Sequence, residues 1–268
     1  MFTRPYAKIA FLVLFILMII FSLSFAFEGK QYYDSFMATF GKGVEFEGKL
    51  INGNMFAYQL FYSMWLFVPL LVVVVTGGMI SEETSEGTLR MVLSRKVSKS
   101  GFFSARFFAA TVFALLIVLF MAILSIGVGI LIFGSGELLT YENGKFTILT
   151  ANHALIRFAI SYGFYFLVLL TVSALSLLFS VLYNNSIKAI FVTVSVILIL
   201  YFISSLEIPF FDDVKPFLFT SYFSRWSHFF GDAINWMKII FDAIVLVVHI
   251  LLFYVLALLF FNKKEILD

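Results

Sequence analysis

Six stretches of this chain run for about twenty residues or more with charge only near their edges. They are Ile9–Phe27, Phe56–Ile80, Phe107–Phe133, Phe158–Leu182, Ile187–Leu206 and Ile239–Phe261. No other feature limits the fold as strongly. At 1.5 Å per residue, a helix of this length crosses the roughly 30 Å hydrocarbon layer of a bilayer. The 268 residues are 62% hydrophobic and 13% charged, against about 45–50% and about 25% for soluble domains. A soluble core of this size cannot bury that excess. The expected fold is a single all-α polytopic membrane domain over residues 1–268, with six transmembrane helices and small outer elements.

The first run holds many Leu, Ile, Val and Phe residues, which favour insertion by roughly 4–8 kcal/mol. A cleaved signal peptide is the rival reading. The run is too long for that, and Ser24-Phe25-Ala26-Phe27 is a poor small-residue cleavage site. We therefore expect a retained anchor. Pro69 should kink the second run. The Gly77-Gly78 pair at the end of that run serves either as a hinge or for close packing. Ser125 and Gly129 form a small-xxx-small pair for close helix contact.

Between the runs, the Glu28–Met55 stretch is polar and glycine-rich, and Val44–Ile51 reads as a small hairpin. Leu138–Glu142 and Lys145–Leu149 flank Asn143-Gly144, whose preference for positive φ favours a type I′ turn. An outer β-hairpin is expected there. Glu207–Lys238 reads as a third outer segment, aromatic and broken by Pro209 and Pro216. The basic residues Arg4, Lys8, Arg90, Arg95, Lys96, Lys99, Arg106, Lys188, Lys263 and Lys264 fall on one side of this arrangement. Their density is about twice that of the other side, which places both termini in the cytoplasm of a multi-pass cell-membrane protein.

The longest charged stretch between two apolar runs is Ile80–Lys99. Glu82, Glu83 and Glu86 come first, then Arg90, Arg95, Lys96 and Lys99. Leu89, Val92 and Leu93 fall at i, i+3 and i+4, on one face of a short helix. Glu86 lies four residues before Arg90, the favourable acid-then-base order. Gly87 lacks the Cβ that would oppose a sharp backbone turn into that helix. Two turns are too short to stand alone, so a membrane surface or a partner should hold them. A solvated loop with incidental charges is the bland alternative. Ser98 or Ser100 can cap the helix that follows.

Glu83-Thr84-Ser85-Glu86-Gly87-Thr88-Leu89, then Val92-Leu93-Ser94 and Val97-Ser98-Lys99, resembles the signature of permease subunits of type-two ATP-binding-cassette (ABC) exporters. In that family the stretch links the second and third spans, as it does here. The usual proline is replaced by Lys96, which changes the exit turn. Pro216-Phe217-Leu218-Phe219-Thr220-Ser221-Tyr222-Phe223 resembles, more loosely, a Pro-Phe-Thr-Tyr-Phe run of the same permeases. The resemblance implies that Glu82, Glu83, Glu86, Gly87, Thr88, Leu89, Arg90, Val92, Leu93 and Ser94 form a cytoplasmic coupling helix docked into an ATPase subunit. It further implies ATP and Mg bound on that partner, and a second permease copy, identical or not.

The chain itself has no Gly-x-x-x-x-Gly-Lys-Ser/Thr, no His-Glu-x-x-His and no Gly-x-Ser-x-Gly, so we expect no catalysis on this polypeptide. It has no cysteine, and a net charge of +2 gives no argument for nucleic acid. The central parts of the spans lack Asp, Glu, Lys and Arg, which argues against ion-coupled transport and suits an apolar or amphiphilic substrate. His249, mid-span, reads as a neutral imidazole bonded to a neighbouring helix or as a proton or ligand group. Tyr58, Tyr62, Trp65, Tyr162, Tyr165 and Tyr201 read as an interfacial belt. A membrane scaffold without transport and an intramembrane lipid-acting enzyme are the competing readings.

Overall fold

The computed structural model describes residues 5–40, 51–93, 98–142 and 145–264. The chain is predominantly helical, with six helices among the described residues long and apolar enough to cross a membrane. The helical elements in chain order begin with α1 (Pro5–Phe40), α2 (Gly53–Met64), α3 (Phe67–Thr76), α4 (Ser81–Ser85), α5 (Thr88–Leu93), α6 (Lys99–Ala122) and α7 (Gly129–Phe133). A hairpin of β1 (Leu138–Glu142) and β2 (Lys145–Leu149) follows, then α8 (Ala151–Leu182), α9 (Ser186–Ser205), α10 (Pro209–Asp212) and α11 (Trp236–Lys263). The apolar windows lie at Tyr6–Phe27, Phe67–Ser85, Lys99–Phe133, Ala151–Leu182, Ser186–Ser205 and Trp236–Lys263. The Val44–Ile51 hairpin expected from the sequence lies almost wholly outside the described residues.

α8 is the centre of the bundle. Its apolar window is 72% buried, against 17% for α9 and 22% for α11. It packs against α3, α6, α9 and α11. Ser161, Thr171, Ser173, Ser176 and Ser180 are all buried on it, and small hydroxyl residues let neighbouring backbones come close. Gly77 uses that space. A Cβ there would lie 2.8 Å from Ile190 Cγ1 and 3.2 Å from Ser176 Oγ, so close packing explains the glycine.

The second apolar run is broken between α2 and α3, and Pro69 supplies the reason. Its missing N–H would have bonded the Trp65 carbonyl four residues earlier. Tyr165 Oη of α8 donates to that carbonyl instead, at 2.8 Å. Near the other end of α2, Asn52 caps the helix through the N–H groups of Asn54 and Met55. Asn52 and Asn54 also donate to the Glu137 and Gly136 carbonyls, each at 2.6 Å. α6 continues through a π-helical turn at Ile123–Val128 into α7. There Ser125 Oγ meets Tyr162 Oη at 2.7 Å, and Gly129 meets the backbone of Gly53.

The first apolar window ends at Phe27 as expected, and the α1 helix runs on past it to Phe40; among the residues after Phe27 only Gly29 disfavours helix strongly. Two expectations need correction. Tyr162 and Tyr165 are not interfacial but 4% and 0% exposed. Tyr162, Phe61 and Trp226 stack in a row, with centroid separations of 4.5 and 4.3 Å. The stretch before α11 is not simply an outer loop. Phe217's carbonyl lies 3.1 Å from His249 Nε2, and the Phe219 ring packs on His249 and Phe253. Those two residues lie near the middle of α11, so the segment re-enters to that depth.

From there Phe219–Phe230 climbs as a 3₁₀ helix. This winding repeats every three residues, so side chains at i and i+3 eclipse. Thr220, Phe223, Trp226 and Phe229, all buried, form one row. Ser221, Ser224 and Ser227 form another. The aromatic row faces the bundle core, chiefly α8. Arg157 of α8 donates to the Phe229 and Gly231 carbonyls at the end of the 3₁₀ helix, where no helical donor remains.

The third row ends in Arg225 and His228. Arg225 Nη1 lies 3.1 Å from His228 Nε2. A guanidinium only donates, so Nε2 accepts and the ring is neutral with its proton on Nδ1. Nδ1 faces Glu142 Oε1 at 3.4 Å, which ties the hairpin to the 3₁₀ helix. Burial, with help from Arg225 and Lys238, lowers the His228 pKa from 6.5 to about 4. Burial raises that of Glu142.

Two measurements test this packing. Gly53→Ala would place its methyl 2.5 Å from the Gly129 carbonyl carbon, and should cost about 1–3 kcal/mol through overpacking. Gly127→Ala, with nothing within 4 Å, should be near neutral; unfolding in detergent compares the two. The folded chain holds His228 neutral, so between pH 6.5 and about 4 it binds fewer protons there than the unfolded chain. Melting temperature should therefore fall as pH drops through that window, and fall less in His228→Gln.

Candidate functional site

The described part of the charged stretch before α6 forms two short helices, α4 and α5, separated by Glu86 and Gly87. α4 follows Gly77-Gly78, and its first N–H groups need acceptors. Ser180 Oγ of α8 supplies one, accepting from the N–H of Ile80 at 3.1 Å and of Ser81 at 3.0 Å. Ser81 Oγ donates to the Gly77 carbonyl and Thr84 Oγ1 to that of Ile80, both at 2.9 Å. Glu82 and Glu83 occupy the first turn of α4, where the helix dipole favours acids.

Glu83 is 4% exposed. Its Oε1 accepts from Arg106 Nη2 of α6, and the same guanidinium sits 4.9 Å over the Phe102 ring. One ion pair thus fixes α4 against α6. Thr88 Oγ1 adds a 3.3 Å bond back to the Glu83 carbonyl. Glu82 and Arg106 border a groove of about 140 Å³ whose other walls include Tyr6, Val75, Met79 and Ile190.

Glu86 caps the end of α4 and is exposed; its N–H bonds the Glu82 carbonyl at 2.9 Å, and the N–H of Gly87 bonds that of Thr84 at 3.3 Å. Gly87 then takes φ +70° with nothing near it, a conformation glycine adopts at little cost. This turn puts a backbone break between Glu86, just past α4, and Arg90 on α5; the expected Glu86–Arg90 pair itself involves the Arg90 side chain, which lies outside the described residues. Thr88 opens α5, which runs to Leu93. Leu89 is 2% exposed and belongs to the chain's own core, so it does not face a partner as expected. Met91, which sequence reasoning passed over, is 65% exposed. Arg90, Val92 and Leu93 lie on the α5 backbone, but their side chains, like Ser94, lie outside the described residues.

Lysines close this end. Ser98 Oγ caps α6 by accepting from Gly101 N–H at 3.0 Å, as expected for one of the two serines. Lys99 Nζ donates to the Asn262 and Lys264 carbonyls at the end of α11. Lys264 Nζ donates to the Val181 carbonyl at the end of α8. Cations suit these positions, where orphan carbonyls gather. His249, by contrast, places its ring nitrogens 2.8 Å from the Val245 carbonyl and 3.1 Å from that of Phe217. It anchors the re-entrant segment.

A model of the family described as a protein of unknown function, DUF2705, matches residues 14–267. No curated protein matches the chain.

The ion pair gives a direct test. Arg106→Met leaves a buried carboxylate without its guanidinium and should cost on the order of 3 kcal/mol. Adding Glu83→Gln to Arg106→Met should restore much of that loss. Unfolding of the wild type, both single variants and the double variant measures the coupling.

Proposed function

The chain belongs to the DUF2705 family, and we propose that it is the membrane-spanning subunit of an ABC exporter for an apolar or amphiphilic substrate. The observation that carries this reading is the α4–Gly87–α5 element. It is braced from within by Glu83–Arg106 and by Ser180, and it turns Met91 outward on a helix of six residues. A short amphipathic helix with one face built into the bundle and the other exposed can pass force from a docked protein to the spans. Its sequence is the part that resembles the exporter signature.

In this reading the charged end faces the cytoplasm, supported by the excess of lysine and arginine there. ATP and Mg are bound by separate ATPase subunits, and a second permease copy, identical or different, completes the transport path. Glu83, Ser81 and Thr88 keep the docking element in shape. Met91 and neighbouring groups on α5 contact the ATPase.

Met91→Asp should leave the melting temperature unchanged, because Met91 is exposed. It should abolish co-purification of a Walker-motif ATPase, identified by mass spectrometry, and uncouple ATP hydrolysis from export in vesicles. Leu89→Asp should instead unfold the chain, since it forces a charge into the core. An unchanged ATPase complex and unchanged export in Met91→Asp would overturn the docking role. Purification without any nucleotide-hydrolysing partner would favour the scaffold reading.

A further inference from the structure

The opposite end holds a second feature, independent of the proposed export function. The hairpin, the end of the 3₁₀ helix and the first turns of α11 enclose a cavity of about 320 Å³. Glu142, Lys145, His228, Asp232, Lys238 and Asp242 line it. Its charges are layered. Lys145, Asp232 and Lys238 are exposed at the mouth, Glu142 is half-buried, and Asp242 is buried at the base.

Asp242 is 3% exposed, and its Oδ2 has no hydrogen-bond partner among the described residues. Arg225 Nε lies 4.0 Å from that oxygen and also lacks a hydrogen bond. The two are too far apart to bond directly and close enough to attract one another. A buried carboxylate oxygen left in this state calls for a donor from within the cavity. His228 does not supply it: Nε2 accepts from Arg225, and Nδ1 points to Glu142. With its pKa lowered to about 4, the ring adds no positive charge at neutral pH.

A complementary ligand carries N–H donors at its inner end, for Asp242 and Glu142, and an anion at its outer end, for Lys145 and Lys238. Beside the cavity, α11 shows Trp236, Met237, Ile240 and Phe241 at 52–80% exposure. That face continues into the lipid-facing side of the span. We propose that the cavity binds a zwitterion with a primary ammonium and a phosphate, with the ammonium against Asp242 and the phosphate between Lys145 and Lys238. A phospholipid headgroup of the ethanolamine type fits this chemistry and can leave its chains along Met237 and Phe241. Free phosphoethanolamine carries the same groups. A choline headgroup lacks the N–H donors that Asp242 needs.

Thermal shift of the purified full chain in detergent tests this. The probes are dihexanoyl phosphatidylethanolamine, phosphatidylcholine and phosphatidylglycerol, together with free phosphoethanolamine. The ethanolamine lipid should raise the melting temperature saturably, with an apparent Kd at least tenfold below those of the choline and glycerol lipids. Lys145→Gln/Lys238→Gln changes two exposed side chains, so it should keep the ligand-free melting temperature and weaken binding about tenfold. Asp242→Asn should remove the preference for ethanolamine over choline. Equal binding of phosphoethanolamine, with the same sensitivity to these variants, would support the site and assign it to a soluble zwitterion. Equal or tighter binding of the glycerol lipid, no shift with any probe, or a shift untouched by the double lysine variant would each overturn the proposal.

Discussion

A backbone carbonyl surrounded by hydrocarbon has no water to turn to, and leaving it without a donor is costly. This chain breaks its helices at several places, and a side chain from another element meets the cost at each. Pro69 frees the Trp65 carbonyl and Tyr165 takes it. The 3₁₀ helix ends among three carbonyls and Arg157 reaches them from α8. α11 ends and Lys99 closes it; α8 ends and Lys264 closes it. The irregular segments are possible because a long, mostly buried α8 stands next to nearly all of them.

The same logic separates the two ends of the molecule. At the charged end, cations sit on helix C-termini and on Glu83, so Lys99, Arg106 and Lys264 each serve local structure. At the hairpin end, charges of both signs gather around a cavity, and His228 is kept neutral between a cation and an acid. One end is closed by its own lysines; at the other, Asp242 Oδ2 has no hydrogen bond among the described residues.

Much of the fold was legible in the sequence. Apolar runs of spanning length mark helices whatever their partners, and Asn143-Gly144 marks the hairpin through local turn chemistry. The rest depended on partners distant in sequence. Nothing near Glu83 announces Arg106, and nothing near Leu89 announces that it is covered. Tyr162 looked interfacial because a tyrosine toward the end of a span usually is. The 3₁₀ helix is a different kind of miss. Its triplet pattern is written out as Phe-Thr-Ser, Tyr-Phe-Ser, Arg-Trp-Ser, His-Phe-Phe, but periods of 3.6 and 2 do not reveal it. The exposed Met91 also lay in plain view, on the face opposite the Leu89 stripe.

That triplet pattern sets the length of the re-entrant strut. Twelve residues span about 24 Å as a 3₁₀ helix and about 18 Å as an α-helix, so relaxing to the commoner winding would draw one end in by about 6 Å. The serine and aromatic rows resist such a change, because at 3.6 residues per turn each row would spiral around the axis and carry serines into the place of Phe223 and Trp226. The segment therefore acts as a gauge of fixed length, holding the hairpin a set distance from the middle of α11. A one-residue insertion within it would rotate everything beyond by a third of a turn.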